Sequence, residues 1–391
     1  MTDTKKLLKT LWFTPGREGR WGLPMLFWGA PGTAKTSVLK NMGRQVGFSH
    51  VEILSPGERG EGAFGVIPVP SRDGNRITYP APEWTDKFDG DARGLVFVDE
   101  INRAAEALQP PLLGLVNELR IGGHYLGKNV RICAAANPAE TAPGVYELDP
   151  AQANRMGHMP WPAPSVADWT AWALSGADDM DGEVLSAEGE ENRVMAVWPT
   201  EFAKAIGTTT AFLRSFPSLH HAQPAVGDPQ CTRAWPSPRT WELAMRAWAG
   251  AAIHMAGDQA GAETLLEAFV GPGAASQFVS WRALIDLPDP IAILDGAEEF
   301  KHDKKKLDRT MATLASCAAM VCPGNSVKRQ ERSEILWKIL NFLSDKTADL
   351  VEPTARSLVR AKLQGSECSK SVMRKLHPLL RLSGDQTTQT P

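Results

Sequence analysis

Two short groups of residues in this chain could do chemistry together: Gly29-Ala30-Pro31-Gly32-Thr33-Ala34-Lys35-Thr36 and, further along, Asp99-Glu100. In the first, Gly29 and Gly32 let backbone N–H groups wrap a phosphate without Cβ clashes, and Ala30, Pro31 and Thr33 complete the curve of the loop. Lys35 supplies a point charge for β- and γ-phosphates, and Thr36 a hydroxyl ligand for Mg²⁺. The strict form of this pattern has glycine where Ala34 stands. Our reading is that Ala34 lies where the loop turns into a helix, with φ negative, so that alanine is tolerated. A Gly/Pro turn preceding Lys-Thr by chance would carry the same letters, so a second motif is needed. Asp99-Glu100 supplies it. Asp99 would hold the Mg²⁺ shell, and Glu100 would orient and polarise an attacking water. The chemistry implied is ATP hydrolysis with Mg²⁺.

These side chains need elements to place them. Leu23, Met25, Leu26, Phe27 and Trp28 read as a strand running into the loop, and Val38, Leu39, Met42 and Val46 as the helix leaving it. That strand–loop–helix context gives the glycine spacing its meaning. Gly94-Leu95-Val96-Phe97-Val98 reads as a buried parallel strand delivering Asp99 and Glu100 at its carboxyl end, where open α/β sheets bind ligands. His50 to Leu54 and Val130 to Ala135 are further strands. Asn137, ending the latter beside the acidic pair, is suited to orienting the water or sensing the γ-phosphate. Two hairpins are expected to project from the sheet, turning at Asp73-Gly74 and Gly122-Gly123. A helix is expected from Ile101 to about Leu119, and a short one presenting Arg155, followed by a last strand, Gly157 to Trp161. Pro160, Pro162 and Pro164 mark a boundary, beyond which the pattern is helical. Pro236-Ser237-Pro238-Arg239 opens a long helix, with Ser237 capping it.

The expected division is an αβα nucleotide-binding core over 1–164, a helical lid over 165–300, and a C-terminal helical region over 301–391 ending in a disordered tail. The acidic stretch holding Asp178, Asp179, Asp181, Glu183, Glu188, Glu190 and Glu191 reads as a solvated linker. The length of 391 residues suits two or three domains, and 43% apolar content suffices for sizeable cores. A net charge of −3 gives no global drive toward nucleic acid or anionic membranes. Lys301, Lys304, Lys305 and Lys306 form a basic run that reads first as a solvated helical surface. The five cysteines are scattered, without a metal-binding spacing, and Cys317 and Cys322 read as core thiols. Reduced thiols, with no signal peptide or membrane span, lead us to expect a cytoplasmic protein.

Taken together, these residues resemble an AAA+ ATPase of the MoxR branch. The resemblance rests on Gly29 to Thr36, on Val98-Asp99-Glu100-Ile101-Asn102-Arg103-Ala104, on Ala135-Ala136-Asn137-Pro138, and on Leu148-Asp149-Pro150-Ala151-Gln152-Ala153-Asn154-Arg155. It covers about residues 20–165 and extends more weakly to about 250. It implies an α/β P-loop core with a parallel sheet flanked by helices, then an all-helical lid and a C-terminal helical region. It also implies an ATP-driven ring, usually a hexamer, that remodels or activates a protein client, commonly beside a von Willebrand factor A domain protein. On this resemblance Asn137 matches sensor 1, Arg155 the arginine finger and Arg239 the sensor 2 arginine. The two hairpins match inserts that face the pore or the substrate. Asn154-Arg155-Met156 stands where the family has Asp-Arg-Phe. Two other readings compete: a nucleic-acid-directed or defence motor, using the basic C-terminal region, and a nucleotide-gated assembly scaffold.

Overall fold

In the computed structural model, the described residues are 4–382 except 139, 141, 143, 176–183, 226, 324–327 and 346. The chain divides into two compact units, one comprising 1–196 and 220–276, the other 197–219 and 277–391.

The first unit is built on five parallel strands: β1 (Met25–Trp28), β2 (His50–Leu54), β5 (Gly94–Val98), β8 (Val130–Ala136) and β9 (Gly157–Pro160). They lie in the order β2-β5-β8-β1-β9. Register is continuous across the centre, with Phe97 opposite Cys133 and Cys133 opposite Met25. Every residue of β5 and β8 is buried, which is why both read as unbroken apolar runs rather than alternating ones. Two antiparallel hairpins stand outside this sheet: β3 (Val69–Pro70) with β4 (Ile77–Thr78), and β6 (Arg120–Ile121) with β7 (His124–Tyr125). The unit also holds α1 (Thr4–Trp12), α2 (Lys35–Gln45), α3 (Gln109–Glu118), α4 (Pro150–Ala153), α5 (Val166–Ser175) and α7 (Pro238–His254). This is an α/β core, a parallel sheet accompanied by helices, with β1 between β8 and β9. Two helices, α6 (Ala187–Ser215) and α8 (Gln259–Ala283), have residues in both units.

The second unit is helical. Its remaining helices are α9 (Pro290–Leu294), α10 (Leu307–Val321), α11 (Arg329–Ser344), α12 (Ala348–Arg360) and α13 (Glu367–Leu382). Leu314, Cys317, Leu336, Trp337, Leu340 and Leu358 form its core. Burial pushes the Cys317 thiol up to about 12, so it packs as a small hydrophobe. Lys301, Lys304, Lys305 and Lys306 are exposed. The tail read as disordered, Gln386–Pro391, lies outside the described residues. Among the described residues, no helix is long and apolar enough to cross a membrane.

Two expectations are corrected here. The helix read as starting at Ile101 begins only at Gln109, because short 3-10 turns at Ile101–Arg103 and Glu106–Leu108 come first. Pro110 and Pro111 lack the N–H that would tie the helix back onto those turns, so they suit a first turn. The acidic stretch is not all a solvated linker. Asp178, Asp179, Asp181 and Glu183 lie outside the described residues, but Glu188, Glu190 and Glu191 belong to α6, and Glu191 is buried. Its carboxylate accepts from Arg131 Nη2 at 2.5 Å and from Arg93 Nε at 2.9 Å. Arg131, fully buried on β8, stacks against Phe13 and Phe48 and also donates to the Trp12 carbonyl. Burial lowers its pKa to about 10, against the pull of Glu191. Removing one member of a buried pair leaves the other charge uncompensated. Glu191→Gln is therefore expected to destabilise the chain by about 3 kcal/mol, read by urea unfolding. A loss under about 1 kcal/mol would mean that water reaches Arg131.

Candidate nucleotide site

β1 ends at Trp28, and the loop Gly29 to Ala34 carries the chain into α2 at Lys35. Gly29 is needed for close approach, because a Cβ there would meet the Trp161 carbonyl oxygen at 2.6 Å. Trp161, following β9, closes the loop from that side: its N–H donates to the Trp28 carbonyl, and its indole Nε1 to the Thr33 carbonyl at 3.1 Å. The Thr33 hydroxyl donates to the Ala30 carbonyl at 2.8 Å. Gly32 has φ 77° and open space where a Cβ would be, so its glycine serves the turn itself.

Ala34 departs from the expected geometry. Its φ is +60° and ψ 21°, in the left-handed region, not at negative φ. The reason is its position. The first helical residue is Lys35, and Ala34 is the last residue of the loop, where the curl that turns successive N–H groups inward requires positive φ. For alanine this conformation costs about 1–2 kcal/mol, partly offset in any comparison by the roughly 0.5–1 kcal/mol that glycine loses in freedom. Ala34→Gly is thus expected to raise Tm by roughly 1–4 °C, measured by calorimetry without ligand. A lower Tm would show that the loop is not strained there.

At the carboxyl ends of β1, β5 and β8 the expected residues come together. Thr36 Oγ1 donates to Asp99 Oδ2 at 2.5 Å, and Asp99 Oδ1 accepts from the Glu100 N–H at 3.0 Å. Lys35 Nζ donates to the carbonyls of Gly29 (2.8 Å) and Ala30 (3.0 Å) and to Asn137 Oδ1 (3.3 Å). Burial lowers the Lys35 pKa, and the carboxylates of Asp99 and Glu100 oppose that shift. Asn137 is buried, and its Nδ2 donates to Glu100 Oε1 at 2.9 Å. Glu100 also pairs with Arg103 at 3.3 Å and sits at φ 52°, a strained conformation for a non-glycine residue. One cation, one hydroxyl, two carboxylates and one amide therefore share a single locus, the set needed to hold a polyphosphate and a hard cation and to polarise a water.

Asn102 was not singled out from sequence. Its side chain makes a reciprocal pair with the Asn137 backbone, accepting from Asn137 N at 3.2 Å and donating to Asn137 O at 2.8 Å. It thereby ties the turn after the acidic pair to the end of β8. In the sequence it is one residue of the Val98–Ala104 stretch with no role given to it, and only its burial, at 4% exposure, marks it out.

Arg155 and Arg239 are not at this locus. Both line a cavity of about 280 Å³ together with Arg17, Arg20, Leu23 and Val130. Leu23 precedes β1 and Val130 opens β8, so the cavity lies at the amino ends of the strands. From Val130 to Asn137 is seven steps of about 3.3 Å, roughly 23 Å along the sheet. Burial lowers the Arg239 pKa, and Arg155 and Arg17 lower it further. Arg155 donates to the Ala151 carbonyl, whereas the Asp149 carboxylate caps α4 through the Ala151 and Gln152 amides and does not pair with Arg155. Among the described residues no carboxylate pairs with Arg155 or Arg239.

No protein-family model matches the chain, and no curated protein does. Among solved structures, the chain resembles a crystal structure of a “putative ATPase” from Cytophaga hutchinsonii. The two are 15% identical over 68% of this chain and 79% of that one, with a TM-score of 0.43.

Proposed function

We propose that this chain is an ATP-hydrolysing enzyme of the MoxR type within the AAA+ ATPases. It would work as a ring, with a hexamer expected, and couple turnover to remodelling, activation or assembly of a protein client. A von Willebrand factor A domain protein is one such partner. The observation that carries the reading is the convergence of Lys35, Thr36, Asp99, Glu100 and Asn137 at the carboxyl ends of three adjacent parallel strands.

ATP is the substrate, and the Gly29–Ala34 loop with the amino end of α2 would receive its phosphates. Thr36 and Asp99 offer two hard oxygens already within 2.5 Å of each other, which suits Mg²⁺, a cation that takes few protein ligands and completes its shell with phosphate and water. When bound there, the ion would neutralise charge on the phosphate oxygens. Lys35 would exchange its loop carbonyls for phosphate oxygens. Glu100 would accept a proton from the attacking water, its carboxylate aimed by Asn137 Nδ2, and Asn102 would keep Asn137 in place through the backbone. The hairpins supply no ligand to this locus. Val69, Ile77, Tyr79 and Tyr125 are exposed on or beside them, which supports a role in gripping the client. Phosphate release by the purified full chain, with Mg²⁺ and with chelator, tests the reading. Mg²⁺-dependent turnover is expected, and its absence at every protein concentration tried would overturn it.

A further inference from the structure

A guanidinium that the site described so far does not use lies directly against the phosphate-loop strand. Arg233 Cζ sits 3.5 Å from the centre of the Trp28 ring. Trp28 is the residue immediately before Gly29, whose carbonyl holds Lys35 Nζ. The indole beneath Arg233 is fixed: its Nε1 donates to His158 Nδ1 at 2.9 Å, and His158 Nε2 donates to the Ala153 carbonyl at 2.9 Å. That tautomer requires a neutral imidazole, and burial pushes the His158 pKa down to about 4. The backbone carrying Arg233 is fixed as well. Asp228 caps the short turn Pro229–Thr232, the Arg233 N–H closes onto the Gln230 carbonyl, and the Trp235 carbonyl accepts from Asn154 and Thr240.

The charge on this group is not spent. Arg233 is half-buried, yet among the described residues it has no ion pair and no side-chain hydrogen bond. The carboxylate that reaches it electrostatically is Glu140, just past Asn137 and Pro138, and it stands outside ion-pair distance. The group thus lies against the end of β1, the strand that delivers Lys35, and within electrostatic reach of Glu140 on the segment that follows Asn137. Stacking holds the guanidinium plane against the indole but leaves its edge, where the N–H donors are, free to engage two anionic oxygens. The other arginines expected to meet phosphate, Arg155 and Arg239, are at the opposite ends of the strands. Arg103, nearer, is engaged with Glu100.

We propose that Arg233, stacked on Trp28, is the intrasubunit arginine of the P-loop site and engages the terminal phosphate of a bound nucleoside triphosphate. The inference rests on the ATP-binding reading above. It adds a cation that the sequence pattern does not reveal, since Arg233 lies in no motif.

The test is the binding of ADP and of ATPγS to the full chain with Mg²⁺, by displacement of a fluorescent nucleotide. The proteins compared are wild type, Arg233→Gln, Arg233→Lys and Lys35→Ala. Gln can still lie on the indole but carries no charge; Lys keeps the charge without the fork. Arg233→Gln is expected to weaken ATPγS about tenfold or more while leaving ADP within about twofold, with an unchanged ligand-free Tm. Arg233→Lys should recover part of the loss. If ADP and ATPγS weaken equally, or only Tm falls, Arg233 is a structural cover for Trp28 and the proposal is wrong. If wild type binds, Lys35→Ala does not, and Arg233→Gln matches wild type for both nucleotides, this inference falls and the ATP reading stands. If wild type binds neither nucleotide, both fall.

Discussion

Lys35→Ala is expected to abolish nucleotide binding, and Glu100→Gln to keep binding while losing turnover by about 10²–10⁴. The two residues stand at the same strand ends but act on different things. Lys35 is a buried ammonium whose hydrogen bonds go to the Gly29 and Ala30 carbonyls and the Asn137 amide oxygen, all neutral acceptors. Its charge is therefore available to a polyanion, and removing it takes away the main intrasubunit cation within the loop. Glu100 instead faces Asn137 and Arg103. In Glu100→Gln the amide oxygen still accepts from Asn137 Nδ2, the Arg103 pair is a partly exposed one that contributes little, and Thr36 and Asp99 are untouched. What disappears is the capacity to take a proton from water. Calorimetric titration with ATP and phosphate-release assays separate the two effects. Near-wild-type hydrolysis by Glu100→Gln would remove the acidic pair from the mechanism. Tight ATP binding by Lys35→Ala would remove the loop.

What could be read from the letters, and what could not, follows from how local each feature is. β5 and its acidic end were legible because a strand covered on both faces must be apolar throughout. The Gly122-Gly123 hairpin was legible because a two-residue turn demands those residue types, and the longer loop through Asp73-Gly74 because its tip still needs a glycine at positive φ. The Ser237 cap was legible because a serine before Pro238 suits a helix start, while its reciprocal bond with Thr240 shows only in the structure. Three features depend on contacts distant in sequence, and they escaped. Glu191 looked solvated because its partner Arg131 is sixty positions away. Asn102 looked like one turn of a helix because its role is set by the Asn137 backbone. Arg233 carries no pattern, and only its seat on Trp28 distinguishes it from any surface arginine. Ala34 was misjudged for a subtler reason. Its type and neighbours were read correctly, but one residue's difference in where α2 begins decides the sign of φ.

Arg155→Ala is expected to bind ATP with nearly unchanged affinity and to hydrolyse it about 10³-fold or more slowly. Among the described residues, the Lys35–Asn137 locus itself brings a single lysine to the charge that builds on the γ-phosphoryl oxygens during transfer, and a further arginine, always charged and able to bond two oxygens, suits that task. Arg155 has the right chemistry and the wrong place to act within its own subunit. It stands just before β9, at the amino ends of the strands, while Lys35 follows β1 at the carboxyl ends. A surface arginine busy with Asp149 would be the bland alternative, but Asp149 is committed to the α4 amides. Arg239, which lines the same cavity, has no carboxylate partner among the described residues either. Two uncompensated guanidiniums at one end of the sheet and a phosphate loop at the other suggest subunits arranged so that the first face of one meets the second face of the next. Mixing Arg155→Ala with Lys35→Ala should then restore part of the activity, because the second protein has a dead loop but an intact arginine. The rescue should vanish on dilution below the concentration at which the assembly, followed by light scattering, falls apart. Wild-type turnover by Arg155→Ala would remove the arginine from the reaction. Loss of turnover without rescue, in assemblies shown to contain both proteins, would place its action elsewhere than the neighbouring site.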